Sequence, residues 1–289
     1  MSILEKALKK AVLDRAKKKS AQDIDGKIVD NKADDNNRQI ISTSSELNAP
    51  ASSGHIPAMQ EQESRNKSSL AARKIIYPDM ANGKVVDQFR EIRTHIYQSL
   101  RQISTPILVT AVSGNAGNTF VIKNISAAIA LDDAKTSLIV DCNLANPGFK
   151  DLLTDEKHLG VTDYIESGIS IEEIIQAVGI NRMRLIPAGA KKESVTDYLT
   201  SNRLRTLFSE LQERYADRVI LVDSPSIKDF ADAKILTNLF SHVILVVPYR
   251  KVTENQIANA VKSIGKEKII GIVINREPRF LSLFNFFIK

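Results

Sequence analysis

Residues 107–131 constrain this chain more than any other stretch. Ile107–Thr110 reads as a buried strand, Ser113–Gly117 as a turn of small residues, and Thr119–Leu131 as a helix with apolar periodicity. Strand, glycine turn and helix in that order make a phosphate-binding loop, in which backbone N–H groups and a helix N-terminus cradle an anion. The loop here reads Gly114-Asn115-Ala116-Gly117-Asn118-Thr119, so the usual Gly-Lys-Thr ending has become Gly-Asn-Thr. Lysine at that place reaches the β- and γ-phosphates of a nucleotide. Asn118 carries no charge for that contact, and any function must be argued with the loss in view.

Continuous Val/Ile/Leu runs recur after the loop. Thr136–Asp141, Met183–Pro187, Arg218–Asp223, Val243–Pro248 and Ile269–Asn275 read as strands covered on both faces. Helical patterns lie between them, near Thr162–Ser167 and over Ile171–Val178, Thr196–Tyr215, Phe230–Leu239 and Thr253–Ile264, with Val85–Ile103 ahead of the first strand. Alternation of this kind predicts an α/β fold with a doubly wound, mostly parallel sheet of P-loop NTPase type.

This domain is expected over 74–276 of the 289 residues. Residues 1–19 pattern as a basic amphipathic helix, with Ile3, Leu4, Ala7, Leu8, Ala11 and Val12 opposite a lysine-rich face. Such a helix suits an anionic bilayer or a partner groove. Residues 20–73 are rich in Asp, Asn, Ser, Gln and Lys and poor in aromatics, the composition of a disordered tether. As a flexible coil it would reach about 40 Å. Residues 277–289 form an apolar tail, where Phe280, Leu281, Leu283, Phe284, Phe286, Phe287 and Ile288 crowd together and call for a groove or a lipid interface.

Composition narrows the setting. The net charge of +6 belongs largely to the first nineteen residues, and no aromatic-plus-basic surface or helix-turn-helix pattern accompanies it, so nucleic acid is not the expected partner. One cysteine, Cys142, excludes an intrachain disulfide and a Cys-rich metal site, and its apolar neighbours mark it as packing. No apolar run is long enough to span a bilayer and the N-terminus lacks a signal-type apolar core, so a cytoplasmic protein, peripheral at the inner face of the membrane, is expected.

Nucleotide chemistry needs more than the loop: a hydroxyl for magnesium, and carboxylates that hold the metal or manage the nucleophile. Thr119 stands in the hydroxyl place, and Asp141 and Asp223 end strands whose carboxyl ends should line a crevice. Asp is also a common helix cap, so neither acid alone would carry the point.

Taken in order, Asp87-x-x-Arg90-x-x-Arg93, the glycine loop, Leu138-Ile139-Val140-Asp141-Cys142-Asn143-Leu144-Ala145 and Ile220-Leu221-Val222-Asp223-Ser224-Pro225 resemble the bacterial tyrosine kinases of capsule and exopolysaccharide synthesis. The opening Met1–Leu8 is similar to the autokinase branch of that family associated with exosortase. The resemblance makes Gly114, Gly117, Asn118 and Thr119 a degenerate nucleotide loop, Asp141 and Asp223 the vestigial catalytic acids, and Thr119, Asp141 and Asp223 the magnesium ligands. It implies ATP or ADP with magnesium as cofactors and makes Asp87, Arg90 and Arg93 an assembly helix. Asn143 replaces a second acid of the family's Asp-x-Asp-x-Arg motif and Ala145 its arginine, while the usual terminal tyrosines are phenylalanines.

These departures fall together on catalysis. They point to an impaired, kinase-like regulatory or scaffold protein that oligomerises and binds a polysaccharide copolymerase or a sibling kinase at the inner membrane. Two other readings fit the residues: an active autokinase with a different cation, either a neighbour's lysine or Lys123, which is expected to face solvent away from the loop; and a membrane-associated relative of the partitioning ATPases.

Overall fold

The computed structural model describes residues 64–153, 158–228, 231–277 and 286–287. The expected basic helix over 1–19, residues 20–63 of the expected tether, and residues 278–285 and 288–289 of the tail lie outside them. Helices α1 (Lys67–Ala72) and α2 (Gly83–Ser99) lead into strand β1 (Ile107–Ala111), α3 (Asn118–Ala130) and β2 (Thr136–Asp141). Then come α4 (Val161–Ser167), α5 (Ile171–Ile174), β3 (Gln176–Ala177), β4 (Met183–Ile186), α6 (Thr196–Thr200) and α7 (Asn202–Arg214). The chain continues through β5 (Arg218–Asp223), α8 (Ala231–Leu239), β6 (His242–Pro248), α9 (Glu254–Ile264), β7 (Ile269–Asn275) and β8 (Phe286–Phe287).

The strands form a sheet in the order β3-β4-β2-β5-β1-β6-β7-β8. Every neighbouring pair from β4 to β7 is parallel; only the short edge strands β3 and β8 run antiparallel. Alternate residues of each strand feed different layers. Ile107, Val109, Ile139, Val219, Leu221 and Ile244 pack with α2 and α3, while Leu108, Leu138, Val140, Ile220, Val222 and Leu245 pack under α7 and α9. Burial on both faces is why these strands are continuously apolar instead of alternating. Each such side chain contributes about 1.5–3 kcal/mol on leaving water.

The chain moves from β1 toward β2 and β4 on one side, and from β5 to β6 and β7 on the other. That reversal opens a crevice at the carboxyl ends of β1 and β5, where the glycine loop and both acids sit.

Four expectations need correction. Residues 64–73 belong to the fold and not to the tether: Asn66 caps α1 through Ser69 N, Arg65 donates from Nε to the Val178 carbonyl (2.6 Å) and from Nη2 to the Leu152 carbonyl (2.8 Å), and Arg73 Nε donates to the Asp151 carbonyl (2.7 Å). Polar composition concealed a segment held by arginines to distant backbone rather than by its own apolar burial. The helix expected over Ile171–Val178 stops at Ile174, and Gln176–Ala177 pairs with β4. The helix expected over Thr196–Tyr215 is two, because Ser201 leaves the helical region and accepts a cap bond from Leu204 N (3.2 Å). The helix expected to begin at Val85 and reach Ile103 runs over Gly83–Ser99 instead, ending where Leu100 turns extended.

In the tail, Phe286–Phe287 runs along β7 with Ile272 opposite Phe287 and Val273 opposite Phe286. This backbone pairing covers part of an edge strand that would otherwise present open N–H and C=O groups.

Candidate functional site

Gly117 ends the loop with φ 90°, a left-handed conformation that frees the first N–H groups of α3 to face the crevice. Asn275, the last residue of β7, clamps it: its Nδ2 donates to the Ala116 carbonyl at 2.8 Å. A Cβ on Gly117 would stand 2.3 Å from that Nδ2, so only glycine admits the clamp.

Asp141 and Asp223 are register partners on adjacent strands, which places both acids at one level of the crevice. Both are buried. Asp141 accepts from the N–H groups of Asn143 and Gly148, each at 3.0 Å. Asp223 accepts from Thr119 Oγ1 at 3.0 Å and from Asn118 Nδ2 at 2.5 Å, and the same amide donates to the Ser224 carbonyl at 3.0 Å. An amide nitrogen has two hydrogens, so both donors of Asn118 are committed to the end of β5. Asn118 is thus a crosslink between loop and sheet.

Burial drives the titration of both acids. Loss of solvent pushes Asp141 up to about 7, against the Gly148 and Asn143 N–H groups and the positive charge of Lys123. Asp223 is pushed well above the usual carboxylate range by burial and by the nearby Asp141 charge, against its bonds from Thr119, Asn118 and Ser224.

Lys123 departs from expectation. It does not face solvent: its side chain is 10% exposed, and Nζ makes an ion pair with Asp151 at 2.5 Å and lies 5.6 Å from the centre of the Phe149 ring. The helix α3 is enclosed between sheet and α2, so even its lysine has no face toward water. Beside it, a cleft of about 470 Å³ opens next to Asp141, lined in part by Phe149, Lys150, His158 and Gly189. His158 Nε2 is buried and has no hydrogen-bond partner among the described residues. Sequence reasoning missed this wall because its members lie on loops and one short 3-10 turn outside the recognisable motifs.

The structure therefore brings Gly114, Gly117, Asn118, Thr119, Asp141 and Asp223 into one crevice. Their donor set fits an anion at the loop. Among the described residues no group of three or more His, Cys, Asp or Glu converges as a metal cage. Thr119 and Asp223 fit magnesium only in company with phosphate oxygens and water, which is how that ion is commonly held.

The other expected group divides. Asp87 and Arg90 are exposed and pair with each other at 3.2 Å, but Arg93 Nη1 donates to the Ala128 carbonyl of α3 at 3.0 Å. Arg93→Ala is expected to cost about 1–2 kcal/mol in urea denaturation, by opening that buried carbonyl, and Arg90→Ala less than about 0.5 kcal/mol.

No family model matches the chain. Tyrosine-protein kinase YwqD of Bacillus subtilis is 24% identical over 214 residues, covering 73% of this chain and 89% of that protein. The chain is a homologue of the bacterial tyrosine-protein kinases. The kinase domain of the Escherichia coli tyrosine kinase ETK superposes with a TM-score of 0.62 at 21% identity, over 78% of this chain and 89% of that one. The cell division ATPase MinD of Pyrococcus furiosus shares the fold more distantly, with a TM-score of 0.52 at 22% identity over 61% of this chain and 73% of its own. In this kinase homologue the expected P-loop architecture and parallel sheet are present, and no described helix is long and apolar enough to cross a membrane.

Proposed function

We propose that this chain is a catalytically impaired, tyrosine-kinase-like regulatory or scaffold protein of exopolysaccharide or capsule synthesis, one that binds a membrane copolymerase or a sibling kinase. The observation that carries the reading is Asn118. Its amide bonds Asp223 and Ser224 from the position where a kinase of this fold needs an ammonium on the phosphates. Phosphoryl transfer is accelerated chiefly by positioned charge, so the missing cation lowers turnover by several powers of ten. Architecture is retained around the loss: the loop, the N-terminus of α3, the Asn275 clamp and the exposed Asp87–Arg90 pair all persist.

In this proposal Asp141 and Asp223 are vestigial acids, and Gly114, Gly117 and Thr119 form a loop that still attracts the phosphates of ATP or ADP. Asp87 and Arg90 join protomers, with Arg93 bracing α2 on α3 from within. The basic N-terminal segment and the apolar tail bring the domain to the inner face of the membrane.

Titration calorimetry with ATP and ADP in magnesium, run beside labelling from radioactive ATP, tests the central claim. Asn118→Lys is expected to tighten nucleotide binding about 10–100-fold, the worth of one charge-assisted phosphate contact. Native protein should label itself negligibly. Self-labelling of the native protein at a rate unchanged by Asn118→Lys would sink the reading. Flotation on anionic vesicles with and without Ser2–Lys19 tests the membrane placement, and solution mass of Arg90→Ala against native tests assembly.

A further inference from the structure

Two basic side chains stand near the glycine loop, and their circumstances differ. Lys123 is committed to Asp151 at 2.5 Å. Arg276, the residue after β7, is exposed, and its guanidinium has no carboxylate partner among the described residues. Its Nε lies 4.0 Å from the point where a Cβ on Gly117 would stand, over the last glycine of the loop.

That placement is built into the backbone. Asn275 bonds the Ala116 carbonyl through Nδ2 at 2.8 Å and accepts from the Arg276 N–H through Oδ1 at 2.9 Å, so one side chain ties Arg276 to the loop. Arg276 also holds φ 68°, a left-handed conformation unfavourable for any residue with a Cβ. Strain of this kind persists where the surroundings over-determine it, and such places cluster at ligand clamps.

We infer that Arg276 is the cation that grips the phosphate chain of a nucleoside di- or triphosphate lying in the Gly114–Thr119 loop. A guanidinium offers paired N–H donors that match two phosphate oxygens, and it stays charged in this pH range. It approaches from β7, across the loop from Thr119 and Asp223. The charge therefore holds the bound phosphates without standing where an ammonium from the first turn of α3 would, and the loop keeps a ligand while lacking the contact that speeds transfer. This assignment rests on the proposed reading that the loop binds nucleotide without efficient turnover.

The experiment uses the full chain and the variants Arg276→Gln and Arg276→Lys, with Lys266→Gln as a surface-charge control, after thermal denaturation has shown that all are folded. Affinities for ADP, inorganic tripolyphosphate and adenosine are measured by calorimetry at fixed salt, with and without magnesium. Arg276→Gln is expected to weaken ADP and tripolyphosphate by about tenfold or more, Arg276→Lys by less, and adenosine not at all. Adding Asn118→Lys to Arg276→Gln should restore tripolyphosphate binding. Equal ADP affinity in native and Arg276→Gln protein overturns the inference, as does absence of ADP binding by the native chain. An equal loss for adenosine and ADP overturns it too, because Arg276 would then contact the base. Self-labelling of the native protein would end the impaired-kinase reading yet leave these affinities standing, so the two failures are told apart.

Discussion

The Asp141→Asn variant is expected to be about as stable as the native protein at pH 5 and clearly more stable at pH 8. Asp141 is buried, and burial pushes its carboxyl up to about 7. In the unfolded chain the same group ionises near 4. Between those values the folded protein binds more protons than the unfolded one, so stability from this site is full below about pH 4 and falls as pH rises toward 7. Above pH 7 the buried Asp141 carboxylate ionises beside Asp223, and the two repel. Asparagine removes that charge and also lowers the repulsion felt by Asp223. It has a cost at every pH: one oxygen must serve the N–H groups of both Gly148 and Asn143, which leaves one poorly paired, about 1 kcal/mol. The net expectation is little change at pH 5 and a gain of about 2–3 kcal/mol at pH 8. Urea denaturation at both pH values in chelator reads it directly. A variant destabilised equally at the two values would mean that Asp141 is already balanced by a cation, with Lys123 the first suspect.

How much of this was legible beforehand depends on whether the cause was local. Thr136–Asp141, Arg218–Asp223 and Ile269–Asn275 were readable to the residue, because a strand covered on both faces is a continuous apolar run ended by a polar residue at the crevice. The loop and its two acids were readable for the same reason: glycine spacing and a carboxylate at a strand end are written into short windows. Lys123 was not. A lysine in an apolar helix suggests a solvent stripe, and only the closing of α2 over α3 and the approach of Asp151 turn it inward. The segment 64–73 was missed because its order comes from Arg65 and Arg73 reaching carbonyls more than seventy positions away, which no local pattern encodes. Asn118 lies between the two cases. Its missing charge was visible at once, whereas the two acceptors that hold its amide needed β5 beside the loop.

Gly117→Ala is expected to be the most damaging single methyl at the site, costing about 2–4 kcal/mol and, on the proposed reading of the loop, abolishing nucleotide binding. Two effects add. At φ 90° any Cβ is strained against its own backbone, a cost of about 1–2 kcal/mol. The new carbon would also stand 2.3 Å from Asn275 Nδ2, so that side chain must swing away and give up its bond to the Ala116 carbonyl. The parts separate in a double-mutant cycle. Asn275→Ala alone should cost about 1–2 kcal/mol, since it leaves the buried Ala116 carbonyl unpaired. In the Gly117→Ala background that same change should cost almost nothing, because the bond is already broken and the clash is relieved. Chemical denaturation of the four proteins gives the coupling, expected at about 1–2 kcal/mol. Additive losses would show that Asn275 does not hold the loop, and would remove the physical basis for placing Arg276 over it.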